Sequence, residues 1–211
     1  MNWFAELVEQ IKVMLPNMPT SYIENAVVRS ARTFFRETQL LKDDAYMDAS
    51  CNLSDFVIDL PDGRTIVQAK QLAYHTHPDD APLLNSTWRT VCPAPHRNGY
   101  GWWLDLQGSQ PTVAVSPEFV ISQGRYCITY SWTPDTKQCE LPHHFVGKYF
   151  DALEAGALAY LFKIPTEADT QNFQLAQYYE RAYQNAIDQA GAEETQNHSD
   201  RPIYMRAQSF I

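Results

Sequence analysis

Between Ala45 and Glu140 the apolar residues of this chain abandon the helical spacing they keep on either side, and no all-helical or all-β fold can absorb that change. Upstream, Trp3, Phe4, Leu7, Val8, Ile11, Met14 and Leu15 recur at helical spacing until Pro16, which predicts a short amphipathic helix. Pro19-Thr20-Ser21 opens a second helix, with Glu24 placed after Ser21 for a capping box. Ile23, Ala26, Val27, Ser30, Ala31, Phe34 and Phe35 line one face, Arg29, Arg32 and Arg36 lie largely off it, and the helix should run to about Leu40. Downstream, Pro142 suits a first helical turn because its missing N–H removes no bond there. Phe145, Val146, Tyr149, Phe150, Leu153, Gly156, Ala157, Tyr160, Leu161 and Ile164 then keep the helical period until Pro165. Thr166 with Asp169 can cap a last helix that carries Phe173, Ala176, Tyr179, Ala182, Tyr183, Ala186, Ile187 and Ala190, with Gly191 as its stop.

Inside the block the segments are short and rich in β-branched and aromatic residues: Phe56–Leu60, Arg64–Gln68, Gly101–Leu106, Pro111–Val115 and Tyr126–Trp132. Turn signals separate them, and Leu60-Pro61-Asp62-Gly63-Arg64 predicts a hairpin. Several strands at this rhythm predict a small antiparallel sandwich or barrel. Helices from both chain ends can pack on each other only if the strands are an insertion. The expected fold is therefore α+β: a helical bundle from 1–44 and 141–191, an antiparallel β-rich sandwich or barrel-like insertion over 45–140, and an extended C-terminal arm over 192–211. The arm is a polar tether, Ala192–Asp200, followed by an apolar tip that includes Ile203, Tyr204, Met205, Arg206, Phe210 and Ile211. Such a tip is expected to dock somewhere.

Charged residues make up 19% of the chain, below the usual quarter or so, while aromatics reach 13%, a balance that suits a surface covered by neighbouring subunits. The formal net charge of −9 and the lack of a Lys/Arg cluster argue against tight DNA wrapping, while leaving room for DNA that slides past without sticking. Met1–Glu6 has no basic start and no apolar run approaches membrane-spanning length, so neither a secretory signal nor a membrane segment is expected. Cys51, Cys92, Cys127 and Cys139 are widely spread, which fits free thiols in a reduced cytoplasm.

His143 and His144 point about 100° apart on a helix and match no metalloprotease spacing, so exposed or interface histidines at a helix start account for them better than catalysis. His75, His77, Cys92 and His96 have ligand types that suit zinc, but their spacing matches no standard site and the prolines between them favour an extended loop. No nucleophile elbow or glycine-rich phosphate loop is present, and no cofactor, metal or enzymatic activity is expected. Trp88, Trp102, Trp103 and Trp132 keep open a ligand- or glycan-binding β-domain, although alternation puts one of Trp102 and Trp103 in the core.

The order of these elements resembles the head-to-tail adaptor (connector) proteins of tailed double-stranded-DNA bacteriophages. The resemblance is carried by Leu15-Pro16-Asn17-Met18-Pro19 leading into Ile23–Phe35, by Leu141-Pro142 followed by Tyr149–Leu161, and by the aromatic spacing from Phe173 to Ile187 with its tail. It covers the helical parts, about half the chain. It implies a structural virion protein at the head–tail interface, made in the host cytoplasm, that forms a ring of about twelve copies extending the portal. Its implied partners are further copies of itself, the portal protein, a tail or nozzle protein, and double-stranded DNA in transit, with no membrane. It also assigns the small-residue run around Gly156 to close helix packing, with Phe34, Leu153, Ala157 and Leu161 as neighbours, because a mid-helix glycine costs about 1 kcal/mol relative to alanine.

Overall fold

A computed structural model describes residues 3–50, 54–75, 88–94, 99–108, 110–121, 123–136, 140–165 and 172–198. In them the chain is α+β, with four α-helices and two antiparallel sheets. Two compact units result, one from residues up to Leu40 and from Leu141 onward, the other from Leu41–Glu140.

The first unit holds α1 (Trp3–Met14), α2 (Thr20–Thr38), α3 (His143–Leu161) and α4 (Phe173–His198). Amphipathic spacing sets the inward faces: Trp3, Phe4, Leu7, Val8 and Ile11 on α1, and Ile23, Ala26, Val27, Ser30, Ala31, Phe34 and Phe35 on α2. The second half of α3 is buried nearly all round, at Ala152, Leu153, Ala155, Ala157, Leu158, Ala159 and Leu161. The cause is that α1, α2 and α4 all pack against it.

Four helix-end expectations change. Pro19, not Ser21, sits at the N-cap of α2 and supplies no side-chain bond, so no capping box opens the helix. That helix stops at Thr38, because Gln39 turns left-handed at φ 52° and sends its N–H back to the Phe35 carbonyl. Asn172 caps α4, its Oδ1 accepting from the Gln174 and Leu175 N–H groups at 3.1 and 3.0 Å; Thr166 and Asp169 lie outside the described residues. Gly191 does not stop α4, which continues to His198, so 192–198 is helix rather than extended arm. Glu193 explains the continuation: it takes a salt bridge from Lys148 and a 3.3 Å bond from the Tyr149 hydroxyl, both on α3.

The second unit holds β1 (Lys42–Ser50), β2 (Asp55–Val57), β3 (Arg64–His75), β4 (Arg89–Val91), β5 (Trp102–Asp105), β6 (Thr112–Val115) and β7 (Gln123–Pro134). One sheet runs β1-β7-β3-β4 and the other β2-β6-β5. β1 begins at Lys42 rather than Ala45 and was not expected as a strand, because aspartates at 43, 44 and 48 lower its apparent β propensity. Cross-strand partners offset that, with Asp44 opposite Thr129 and Asp48 opposite Arg125 on β7. The Pro61–Gly63 turn forms, with Gly63 at φ 76° and the Arg64 N–H on the Pro61 carbonyl. It does not close the expected hairpin: β2 pairs with β6 while β3 pairs with β7, so the turn carries the chain from one sheet to the other.

Phe56 and Tyr126 join the two sheets through ring centroids 4.7 Å apart. Around them are buried Ile58, Val113, Val115 and Trp102 on one side and Ile66, Leu72, Val91, Ile128 and Tyr130 on the other. Gly101 stands where β5 runs closest to the strand β4 extends into. Its φ is +132°, and a Cβ there would lie 2.1 Å from the Cys92 carbonyl oxygen. The Trp102 N–H reaches that same oxygen at 3.2 Å, and the Trp102 indole N–H donates to the Val91 carbonyl at 3.0 Å. Gly101→Ala is expected to destabilise this unit by about 3 kcal/mol, since it adds backbone strain to a backbone clash. Urea unfolding followed by tryptophan fluorescence checks it, and a midpoint equal to that of the parent contradicts it.

Candidate functional site

The expected packing residues meet where α2, α3 and α4 approach. Phe34, Leu153, Ala157 and Leu161 are fully buried. At Gly156 a Cβ would lie 2.3 Å from Ser30 Oγ and 2.6 Å from Tyr183 Cε2. The missing side chain therefore leaves space that a serine of α2 and a tyrosine of α4 fill. Ser30 Oγ donates to the Leu153 carbonyl at 2.8 Å, and the Tyr183 hydroxyl donates to the Ser30 carbonyl at 2.7 Å. Both hydroxyls are engaged with backbone, and burial pushes the Tyr183 phenol well above its ordinary value. They act as fasteners between helices. Around them Phe34 lies 5.0 Å from the Tyr149 ring and 6.2 Å from that of Tyr183, and the Arg29 guanidinium sits over Tyr160 at 4.4 Å.

At Tyr149 the backbone of α3 leaves helical values (φ −116°, ψ 15°). The turns before it carry Phe145, which packs on Phe35, and Lys148, whose ammonium holds Glu193 below the ordinary carboxylate range. His143 and His144 are the first two residues of α3 and are exposed, with the His144 ring 4.2 Å from that of Phe145. Val13, Met14 and Tyr22 stand exposed near the α1–α2 connection, and Phe173, Leu175 and Tyr178 near the start of α4. The docking-arm residues Ile203, Tyr204, Met205, Arg206, Phe210 and Ile211 lie outside the described residues.

In the β-rich unit the four zinc-type residues are not a set that can be assembled from what is described. His75 is buried against Trp88 at 5.6 Å and Cys92 is exposed, while His77 and His96 lie outside the described residues. Among the described residues no group of three His, Cys, Asp or Glu could hold a metal ion. The tryptophans divide as alternation requires. Trp102 and Trp132 are core, the latter under the Arg64 guanidinium at 4.1 Å, and Trp103 is half-buried in a cleft of about 580 Å³ with Asp55, Tyr100, Ser116 and Glu118. Trp88 faces a second, smaller groove that the sequence pattern did not reveal as a site. Besides Trp88 itself, its visible sign in the sequence is the alternation of Asp44, Tyr46 and Asp48 with Ala45 and Met47, obscured by its acidity.

No protein-family model matches this chain, and comparison with curated proteins finds no match either. No helix among the described residues is long and apolar enough to cross a membrane.

Gly156→Ala is expected to lower the melting temperature of the helical unit by about 4–8 °C, since overpacking by roughly 2 kcal/mol outweighs the gain in helix propensity. Gly147, where a Cβ would meet nothing within 4 Å, supplies the control: Gly147→Ala should be neutral or stabilising. Glu154 gives a pH-dependent test. Its Oε1 has no hydrogen-bond partner among the described residues, and burial raises its carboxyl above the ordinary range against the lowering effect of Gln10. The folded state therefore holds this proton more tightly than the unfolded chain, and stability falls as pH rises from the ordinary carboxylate value through the raised one. Glu154→Gln should accordingly raise the melting temperature by about 1–2 °C near pH 7 and by less near pH 3.5, read by calorimetry at both pH values.

Proposed function

We propose that the chain is a structural virion protein, a head-to-tail adaptor of a tailed double-stranded-DNA bacteriophage. In this reading it forms a ring of about twelve copies that extends the portal, joins capsid to tail and lines part of the DNA channel. The finer architecture belongs to the same proposal: a helical bundle from both chain ends, a sandwich- or barrel-like insertion, and a docking arm. The observation that carries it is the hydrogen bond from Ser30 to Leu153, which ties the N-terminal helices to the C-terminal ones across the whole β-rich segment. That arrangement agrees with the element order on which the resemblance rests.

Two further features support a building block that assembles. Val13 on α1, Tyr22 on α2, and Phe173 and Tyr178 on α4 are exposed, side chains that contacts between identical subunits would cover. The net charge of −9 suits a channel that DNA crosses without adhering. The partners in this reading are other copies, the portal protein, a tail or nozzle protein, and DNA in transit, within the virion.

Light scattering and native mass spectrometry test it, on the full chain alone and mixed with a portal protein. A discrete ring-sized species that forms on the portal, and is lost when Pro202–Ile211 is deleted from a chain with unchanged circular dichroism, is the expected outcome. A chain that stays monomeric with every portal tried, or docks equally well without those residues, overturns the reading.

A further inference from the structure

We propose that the groove on the outer face of the four-stranded sheet is a binding site for a neutral saccharide. All four strands supply it, and their registers fix its shape. Tyr46 on β1 lies opposite Cys127 on β7, which lies opposite Ala73 on β3, which in turn lies opposite Thr90 on β4. Small side chains thus form the floor. Tyr46 and Trp88 meet beside it in a tilted contact, ring centroids 6.3 Å apart at 59°, and the groove they line with the sheet is about 360 Å³. That volume falls in the range of small-ligand sites and is large enough for one or two sugar rings.

Two residues along the strands, on the same face, a polar row replaces the small one. Asp44 is opposite Thr129, and Thr129 is opposite Gln71. Thr129 Oγ1 donates to Asp44 Oδ1 at 2.6 Å, and the Gln71 amide donates to Thr90 Oγ1 at 3.2 Å. These bonds orient the groups and leave capacity unused: the second carboxylate oxygen of Asp44, the Gln71 carbonyl, and the Thr90 hydroxyl proton. A pyranose matches both halves. Its C–H face is apolar enough to lie on an indole or phenol ring, and its hydroxyls both donate and accept.

Electrostatics narrows the ligand class. Burial and the nearby Asp44 charge push the Cys127 thiol up to about 11, so the floor is an uncharged S–H at neutral pH and the local field is negative. Asp44 lines the groove, and Arg125, two residues along β7 from Cys127, is paired with Asp48 at 2.6 Å. Phosphate and carboxylate ligands are therefore disfavoured. A quaternary ammonium would suit the rings and Asp44, but it would leave the row of hydroxyl and amide groups unmatched.

The full chain is screened on an array of neutral and acidic mono- and oligosaccharides, with choline as the cationic probe, and hits are titrated by calorimetry. A neutral saccharide should bind with a Kd tighter than about 10 mM. Trp88→Ala and Thr129→Val should each weaken it tenfold or more, while Trp103→Ala in the other cleft leaves it unchanged. Should Trp88→Ala fail to fold, the near-isosteric Thr129→Val decides. The proposal is overturned if no neutral saccharide binds, if only choline or acidic sugars bind, or if binding survives Thr129→Val undiminished. Failure here leaves the ring assembly untouched, since the two experiments read different units of the chain.

Discussion

At Gly156 two neighbouring helices come close enough that a single methyl group has no place to go. Ser30 Oγ and the Tyr183 ring occupy that space, and each also makes a hydrogen bond to a backbone carbonyl at the junction. The contact is the hub of the helical unit. Phe34 and Tyr149 pack beside it, and α3 can be buried on nearly every side only because its small residues let α1, α2 and α4 approach. A mid-helix glycine is unfavourable in isolation, and here the loss is offset by dispersion contacts and by two satisfied donors, the Ser30 bond buried and the Tyr183 bond part-buried.

The β-rich unit depends on a different kind of centre. β7 is bonded on both sides, to β1 and to β3, and its inward side chains Tyr126, Ile128 and Tyr130 supply the middle of the core. Its outward side chains face the groove. Fixed period-two alternation thus makes one strand serve two purposes, with the apolar set holding the sheets together and the polar set shaping a surface. The Tyr126 hydroxyl shows how closely the inner set is specified: it donates to the Phe119 carbonyl at 2.8 Å and accepts from the Ile121 N–H at 3.0 Å.

Much of this is legible in the sequence where period and side-chain size speak together. The inward faces of α1 and α2 follow from their spacing, and the glycine of α3 announces a close neighbour, although burial of Ala152, Ala155, Leu158 and Ala159 goes beyond the single face its spacing predicts. What the sequence hides is decided by partners distant in the chain. β1 reads as a solvated acidic stretch until Thr129 and Arg125 are set opposite its aspartates. The Pro61–Gly63 turn is correctly signalled, but a turn does not say whether its two strands belong to one sheet. Gly191 carries a stop signal that a lysine and a tyrosine on another helix override. The groove was invisible for the same reason, since its rim and floor come from four strands that only the pairing brings side by side.

The sequence separation of these pairings also bears on how the chain is made. Ser30 waits for a carbonyl 123 residues later and for a hydroxyl 153 residues later, and Asp44 waits 85 residues for Thr129. On the ribosome, the first two helices therefore emerge with Val27, Ala31 and Phe34 uncovered, and they stay so until α3 and α4 have left the exit tunnel. The helical unit is completed only when α4 arrives, and the nascent protein has a long interval in which a chaperone can hold that naked surface.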